Sequence, residues 1–189
     1  MRWSAGEATV ERLLAAGHLE RVQGAQADGA SWLDRARRGL EAARTIAEQA
    51  PDSSVVLAYD AARQACAGLL AQQGLRPTTA GGHYAIEEVI RAQFGPALRA
   101  FGGLRRRRNE LEYPLYPTEE ASPAEAAETF STAAEIIDAV AKLIPNLGSS
   151  DDRSNRSSPS RCHGPDTGAP ISSISPGTPN RRSVRQRNP

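Results

Sequence analysis

The sequence contains little cysteine, little histidine and few aromatic side chains. Its 189 residues include 2 Cys, 3 His, 1 Met and 5% aromatic residues. Cys66 and Cys162 stand far apart in sequence and in contexts of different composition. This arrangement excludes a disulfide framework and a structural zinc site. We therefore expect a chain that folds around an apolar core, with no metal and no other cofactor.

The sequence also lacks a long apolar run. No stretch approaches the roughly 18 consecutive apolar residues that a membrane-spanning helix requires. Residues 1–4 do not begin the apolar segment that a signal peptide would need. These patterns predict a cytoplasmic protein without membrane association.

The net charge of +1 hides an uneven distribution. Residues 148–189 contain seven Arg but only three Asp, together with ten Ser, six Pro and no aromatic residue. Such a segment cannot bury enough apolar surface to offset the entropy of ordering, so it predicts a disordered tail. Its arginine-rich end, residues 181–187, is compatible with weak nucleic-acid contact, but a solvated tail without a role is the favoured interpretation.

Residues 31–147 show helical periodicity throughout. Apolar side chains recur every three or four positions in successive segments that proline or glycine interrupts. Capping boxes predict helix starts at Ser4 and Ser122, and a weaker one at Ser31. The predicted fold class is all-α: an up-and-down bundle of four to five helices with alanine-rich seams. A short, separate helical arm in residues 1–30 precedes this bundle.

Arg105-Arg106-Arg107-Arg108 interrupts the pattern of the fourth bundle helix. At about 100° per residue, Arg108 falls near the centre of the apolar stripe, Arg105 lies at its margin, and Arg106 and Arg107 point away as solvated charges. A guanidinium among core positions requires a carboxylate, backbone carbonyls or a ligand phosphate, because an unpaired buried charge is costly. Glu112, one turn later, can be the structural partner. The spacing of the two residues supports a structural Arg108–Glu112 pair and a functional role of Arg108 equally.

The segment Arg108-Asn109-Glu110-Leu111-Glu112-Tyr113-Pro114 resembles the signature of the HEPN superfamily (higher eukaryote and prokaryote nucleotide-binding domains). That signature is an Arg followed by a polar residue, usually Asn, and by a His after four to six intervening residues. The helix order over residues 31–147 and the stretch Tyr59-Asp60-Ala61-Ala62-Arg63-Gln64-Ala65 are similar to the family as well. The resemblance implies a homodimer in which these residues of two subunits meet and cleave RNA without metal.

On this resemblance, Arg108 stabilises the charge that develops when a ribose 2′-hydroxyl attacks the adjacent phosphate, and Asn109 orients it. Tyr113 occupies the position of the His. A phenol titrates near 10 and is a poor general base at neutral pH, so the resemblance implies a degenerate site. We expect no other histidine to replace it; His83 opens the short third helix, where a surface or capping role is expected.

Arg105 and Tyr116 are the further candidates for RNA contact, because phosphates bind guanidinium groups and bases stack on aromatic rings. The simpler expectation for Tyr113 and Tyr116 is that their rings pack over the end of the bundle with the hydroxyls in water.

Two functions remain open from the sequence. The first is an RNA-associated HEPN-like protein: a degenerate metal-independent endoribonuclease, or the toxin-like part of a toxin–antitoxin or defence module with a nucleotidyltransferase-like partner protein. The second is a non-catalytic dimerising module that binds another protein, in which Arg108 and Glu112 fix helix packing. Nucleotide binding ranks last, because no glycine-rich phosphate loop is present.

Overall fold

The computed structural model describes residues 5–116 and 118–147. Its helices are Glu7–Ala15 (α1), Gly29–Ile46 (α2), Pro51–Gln72 (α3), Gly82–Phe94 (α4), Phe101–Glu112 (α5) and Pro123–Leu143 (α6). Two short strands, Leu19–Arg21 (β1) and Leu75–Pro77 (β2), and 3₁₀ turns at Gly24–Ala27, Gly95–Leu98 and Ile144–Asn146 complete the described elements. The predicted all-α class is confirmed. The predicted tail, residues 148–189, lies outside the described residues.

Local capping chemistry sets where the helices begin. α6 begins as predicted, with a proline in its first turn and the Ser122 hydroxyl accepting from the Glu125 N–H at 3.2 Å. α2 begins earlier than predicted. The Asp28 carboxylate accepts from the Ala30 N–H at 3.0 Å, whereas Ser31 lies inside the first turn. Aspartate caps a helix as well as serine does, so the upstream residue determines the start.

α3 lies at the centre of the core and packs against α2, α4, α5 and α6. Its buried side chains are mostly small, which allows close approach of the neighbouring helices. The tightest approach is to α2: a Cβ built on Gly68 would lie 2.7 Å from the Cβ of Trp32, and one on Gly29 would lie 2.7 Å from the Gly68 carbonyl oxygen. Backbone therefore meets backbone where these two helices cross.

The N-terminal segment packs onto the bundle. Val10 and Leu13 of α1 are fully buried in the same apolar cluster as the bundle helices. β1 pairs antiparallel with β2, with Glu20 opposite Arg76. The predicted N-terminal helix is therefore present as α1, and it packs into the core of the bundle. The two strands were not predicted, because three residues are too few to show an alternating pattern.

Candidate functional site

The four consecutive arginines of α5 point in different directions, because successive residues on a helix are about 100° apart. Arg105 reaches α4, Arg107 reaches α6, and Arg108 is paired within its own helix. Arg106 is exposed. One turn of helix therefore distributes its four charges among four different environments.

Two of these arginines connect α5 to neighbouring helices. Arg105 forms an ion pair with Glu87 of α4, and both side chains are largely covered. Arg107 binds the Glu125 carboxylate of α6 through its Nε and, at 3.1 Å, through its Nη2. The prediction that Arg107 is a solvated charge is wrong. The polar side of α5 faces the first turn of α6, which the periodicity of one helix cannot reveal.

Within residues 5–116 and 118–147, the hydrogen-bond and ion-pair partners of Arg108 are side chains of its own helix. Its Nη1 donates to the amide oxygen of Asn109 at 3.1 Å, and its Nη2 forms an ion pair with Glu112. Its side chain is 21% exposed. The expected Arg108–Glu112 pair is present, and the guanidinium is largely covered by protein while one side remains open to solvent.

His83 and Tyr59 form a hydrogen-bonded pair beside this arginine. The buried Tyr59 hydroxyl and the His83 Nδ1 are 2.8 Å apart, and the two rings lie with centroids 5.6 Å apart. Tyr59 also stacks on Phe101 of α5, with a centroid separation of 5.6 Å. Sequence reasoning missed His83 as a site residue. A usable signal was present, because a tyrosine on a buried stripe needs a polar partner for its hydroxyl.

Burial holds both members of this pair in their neutral forms at pH 7, and nearby positive charge adds to this effect for His83 but opposes it for Tyr59. Partial burial lowers the pKa of His83, and the charges of Arg63 and Arg108 lower it further. Burial raises the pKa of Tyr59 to about 12. The imidazole is therefore an uncharged group that can accept a proton near neutral pH.

Asp60 and its neighbours complete the cluster on α3. The Asp60 carboxylate accepts from the Nε of Arg63 at 2.7 Å and from the Nε2 of Gln64 at 2.6 Å. The amide oxygen of Gln64 is buried and has no hydrogen-bond partner among the described residues. Each of Arg63, Arg105 and Arg108 has a carboxylate partner. An anionic ligand must therefore compete with a carboxylate at this site.

Tyr113 and Tyr116 lie beyond the end of α5. The Tyr113 N–H donates to the Asn109 carbonyl at 2.9 Å and ends the helix, while its side chain is 75% exposed. Tyr116 is 66% exposed, and Leu115 between them is 85% exposed. The expectation that these tyrosine rings pack over the bundle end is wrong. Residues 112–116 are all exposed, so both rings lie in solvent.

Over residues 5–116 and 118–147, no three side chains of His, Cys, Asp or Glu are placed to hold a metal ion. Within the same ranges, no helix combines the length and hydropathy needed to cross a membrane.

The arrangement can be compared with known proteins. The family model of the HEPN domain matches residues 30–143, from the first turn of α2 to the end of α6. The chain belongs to the HEPN family. This HEPN domain contains the whole arginine run and the His83–Tyr59 pair, and membership indicates a nucleotide-binding or ribonuclease-like module. No curated protein and no solved structure matches the chain.

Proposed function

We propose that this HEPN protein binds RNA at Arg108 and Asn109 and cleaves it weakly without a metal ion. The observation that carries the proposal is the placement of Arg108. Arg105 and Arg107 tie α5 to α4 and α6, whereas the hydrogen-bond and ion-pair partners of Arg108 among the described residues are Asn109 and Glu112 of its own helix. A guanidinium that joins no two helices, and that keeps 21% of its side chain exposed, can exchange its Glu112 partner for a ligand phosphate.

This placement argues against the structural alternative for Arg108. An ion pair within one helix cannot fix the packing between helices, and a partly exposed pair of this kind contributes little to stability. The order of the pair, with Arg before Glu, is also the less favourable one relative to the helix dipole. Arg105 and Arg107, which are covered to a similar extent, are the arginines whose ion pairs join α5 to other helices.

The chemistry of the proposal uses groups that lie side by side. The Arg108 fork stabilises negative charge on the phosphorus oxygens, and the Asn109 amide orients that fork. Arg105 and the exposed ring of Tyr116 extend the contact to neighbouring phosphates and bases. Tyr113 occupies the position of the family's His and is a poor base near neutral pH, so slow cleavage is expected.

The proposal extends to assembly. A second copy of the chain would bring two such sites together, and the exposed segment containing Tyr113, Leu115 and Tyr116 is an apolar surface for contact with another chain. We place the protein as a toxin-like component of a toxin–antitoxin or defence module, with a nucleotidyltransferase-like protein as its partner. The cytoplasm is the expected location.

The decisive experiment compares Arg108→Ala with Arg106→Ala. Both variants remove one positive charge from the same turn, but Arg106 is exposed. We expect Arg108→Ala to abolish RNA cleavage in EDTA and to weaken RNA binding at least tenfold, with the melting temperature nearly unchanged. Arg106→Ala should reduce binding only slightly. Equal effects of the two variants on RNA, or no wild-type cleavage and no wild-type binding, would remove the proposal.

A second candidate function is a non-catalytic module that dimerises or binds another protein. The exposure of Leu115, an apolar side chain between two exposed tyrosines, favours it. Analytical ultracentrifugation of wild type and Leu115→Ser distinguishes the candidates. Loss of self-association without any change in RNA cleavage would assign this segment to assembly alone.

A further inference from the structure

We propose that His83, and not Tyr113, is the group that removes the proton from the RNA 2′-hydroxyl. This inference rests on the function proposed above. It is motivated by position: His83 opens α4, and its ring lies against Tyr59 of α3 beside the arginines of α5. Tyr113, by contrast, points into solvent past the end of its helix.

The Tyr59 hydroxyl fixes the orientation of the His83 ring. Tyr59 is buried, and its own ring is held by stacking on Phe101, so the oxygen that faces His83 Nδ1 has a defined position. In the tautomer in which Nδ1–H donates to that oxygen, Nε2 carries a free lone pair. The proposal assigns this tautomer to His83, and in it Nε2 is the nitrogen that can act as a base.

The charges around His83 come from three helices. α3 presents Tyr59, Asp60 and Arg63, and α5 presents Arg105 and Arg108. The arginines disfavour a proton on the imidazole and Asp60 favours it, while burial is the largest effect and keeps the ring neutral. Glu87, on the same helix as His83, is engaged with Arg105.

An RNA phosphate at Arg108 would add negative charge to this environment. That charge stabilises the imidazolium, so the base becomes stronger when the substrate is bound. The proton affinity of His83 is therefore coupled to occupation of the Arg108 fork.

The proposed step balances as an internal transesterification. The 2′-oxygen forms a bond to phosphorus as its proton moves to Nε2 of His83. The bond from phosphorus to the 5′-oxygen breaks, and that oxygen takes a proton from water. The products are a 2′,3′-cyclic phosphate and a 5′-hydroxyl, and the imidazolium returns its proton to solvent.

The test uses the full chain and three variants: His83→Gln, Tyr59→Phe and Tyr113→Phe. Cleavage of a single-stranded RNA is measured in EDTA from pH 5 to pH 9, and binding is measured with a 2′-O-methyl oligonucleotide that cannot be cleaved. We expect His83→Gln to lose at least 100-fold in cleavage rate with binding changed less than twofold. Tyr113→Phe should lower the cleavage rate far less than His83→Gln does, and it should leave the pH limb that His83→Gln removes in place.

Tyr59 is a positioning residue on this account, so its variant has a different signature. Tyr59→Phe should lower the maximal rate about tenfold, leave KM unchanged and move the acidic limb of the pH profile. A structural role alone would lower stability without moving that limb. NMR titration of the His83 ring supplies a readout apart from cleavage, because the 2′-O-methyl oligonucleotide should raise its pKa.

The outcomes separate the inference from the proposed function. If His83→Gln cleaves like the wild type while Arg108→Ala does not, the role of His83 is wrong and the Arg108 site stands. If binding of the oligonucleotide leaves the pKa of His83 unchanged, the inference is wrong as well. If the wild type neither binds nor cleaves RNA, both fall together.

Discussion

Glu112 is the side chain that an RNA phosphate would have to displace from Arg108. Its carboxylate occupies Nη2, while Asn109 occupies Nη1. The pair is partly exposed, so the attraction to be overcome is about 1 kcal/mol. The Glu112 carboxylate therefore weakens the binding of an anion to the Arg108 guanidinium.

We predict that Glu112→Gln increases RNA affinity about fivefold, because a competing negative charge is removed while the shape is kept. Fluorescence anisotropy with a short single-stranded RNA at fixed salt measures the effect. Glu110→Gln is the matched control: Glu110 lies on the same helix but pairs with Arg107, and its loss should change affinity less than twofold. Equal gains in both variants would indicate a general charge effect.

His83 should also give the stability of the protein a pH dependence. The pKa of His83 is lower in the folded chain than its ordinary value near 6.5, so the unfolded chain takes up the proton first as the pH falls. The stability contribution of this residue is complete above pH 6.5 and declines as the pH drops through the folded pKa.

We therefore expect the free energy of unfolding of the wild type to fall more steeply between pH 7 and pH 5 than that of His83→Gln. Urea denaturation at four pH values measures both slopes. Parallel slopes would show that His83 titrates alike in the folded and unfolded chains.

Tyr59 affects stability at alkaline pH. Because its pKa in the folded chain is about 12, its contribution to the free energy of unfolding is present below pH 10 and is lost as the pH rises above that.

The candidate site was only partly predictable from the sequence, and the residues show why. The Arg108–Glu112 pair follows from the geometry of a single helix, since residues four apart share a face. The ion pair of Arg107 and the hydrogen bond of His83 require knowledge of which helix approaches from which side. Long-range packing supplies that information, and a local pattern does not contain it.

At the scale of the elements, the crossing of α2 and α3 depends on glycine. Gly68 and Gly29 let the two backbones approach within distances that a Cβ would not permit. Gly39, also within α2, has its nearest neighbour at 3.5 Å from a built Cβ, which is ordinary contact.

Gly68→Ala should therefore destabilise the protein by about 1–3 kcal/mol, because the added methyl group must push the helices apart. Gly39→Ala should be neutral or stabilise by up to about 1 kcal/mol, since alanine favours the helix and fits the available space. Chemical denaturation of both variants measures the difference. A destabilisation of equal size would show that helix crowding is not specific to Gly68.

Element boundaries were predicted well where proline, glycine or a capping side chain marks them. The Ser122 cap places the start of α6, and Gly95 limits α4 at its C-terminal end. The strands β1 and β2 could not be predicted, because their pairing joins residues far apart in sequence and each strand is only three residues long. Tertiary contact, and not propensity, creates them.

At the scale of the whole molecule, the N-terminal segment belongs to the folding unit. Leu13 is fully buried against residues of the bundle. β1 is hydrogen-bonded to β2, the strand that connects α3 to α4 along the chain. We predict that Leu13→Ala lowers the free energy of unfolding by about 2–5 kcal/mol and shifts one cooperative transition. Glu11→Ala, at an exposed position of the same helix, is the control and should cost less than about 1 kcal/mol.

Calorimetry checks this prediction. A separate first transition for the N-terminal helix, with the main transition unmoved in Leu13→Ala, would restore the description of an independent arm.

The four arginines of α5 are identical in sequence, yet each one lies in a different environment. Arg105 pairs with Glu87 of α4, Arg107 with Glu125 of α6, and Arg108 with Glu112 of its own helix. Inserting or deleting one arginine would rotate every later side chain of the helix by about 100° and would separate several arginines from their ion-pair partners at once. Helix geometry therefore fixes the length of this arginine run. A one-residue insertion or deletion would disturb the protein more than a substitution at any one of the four positions.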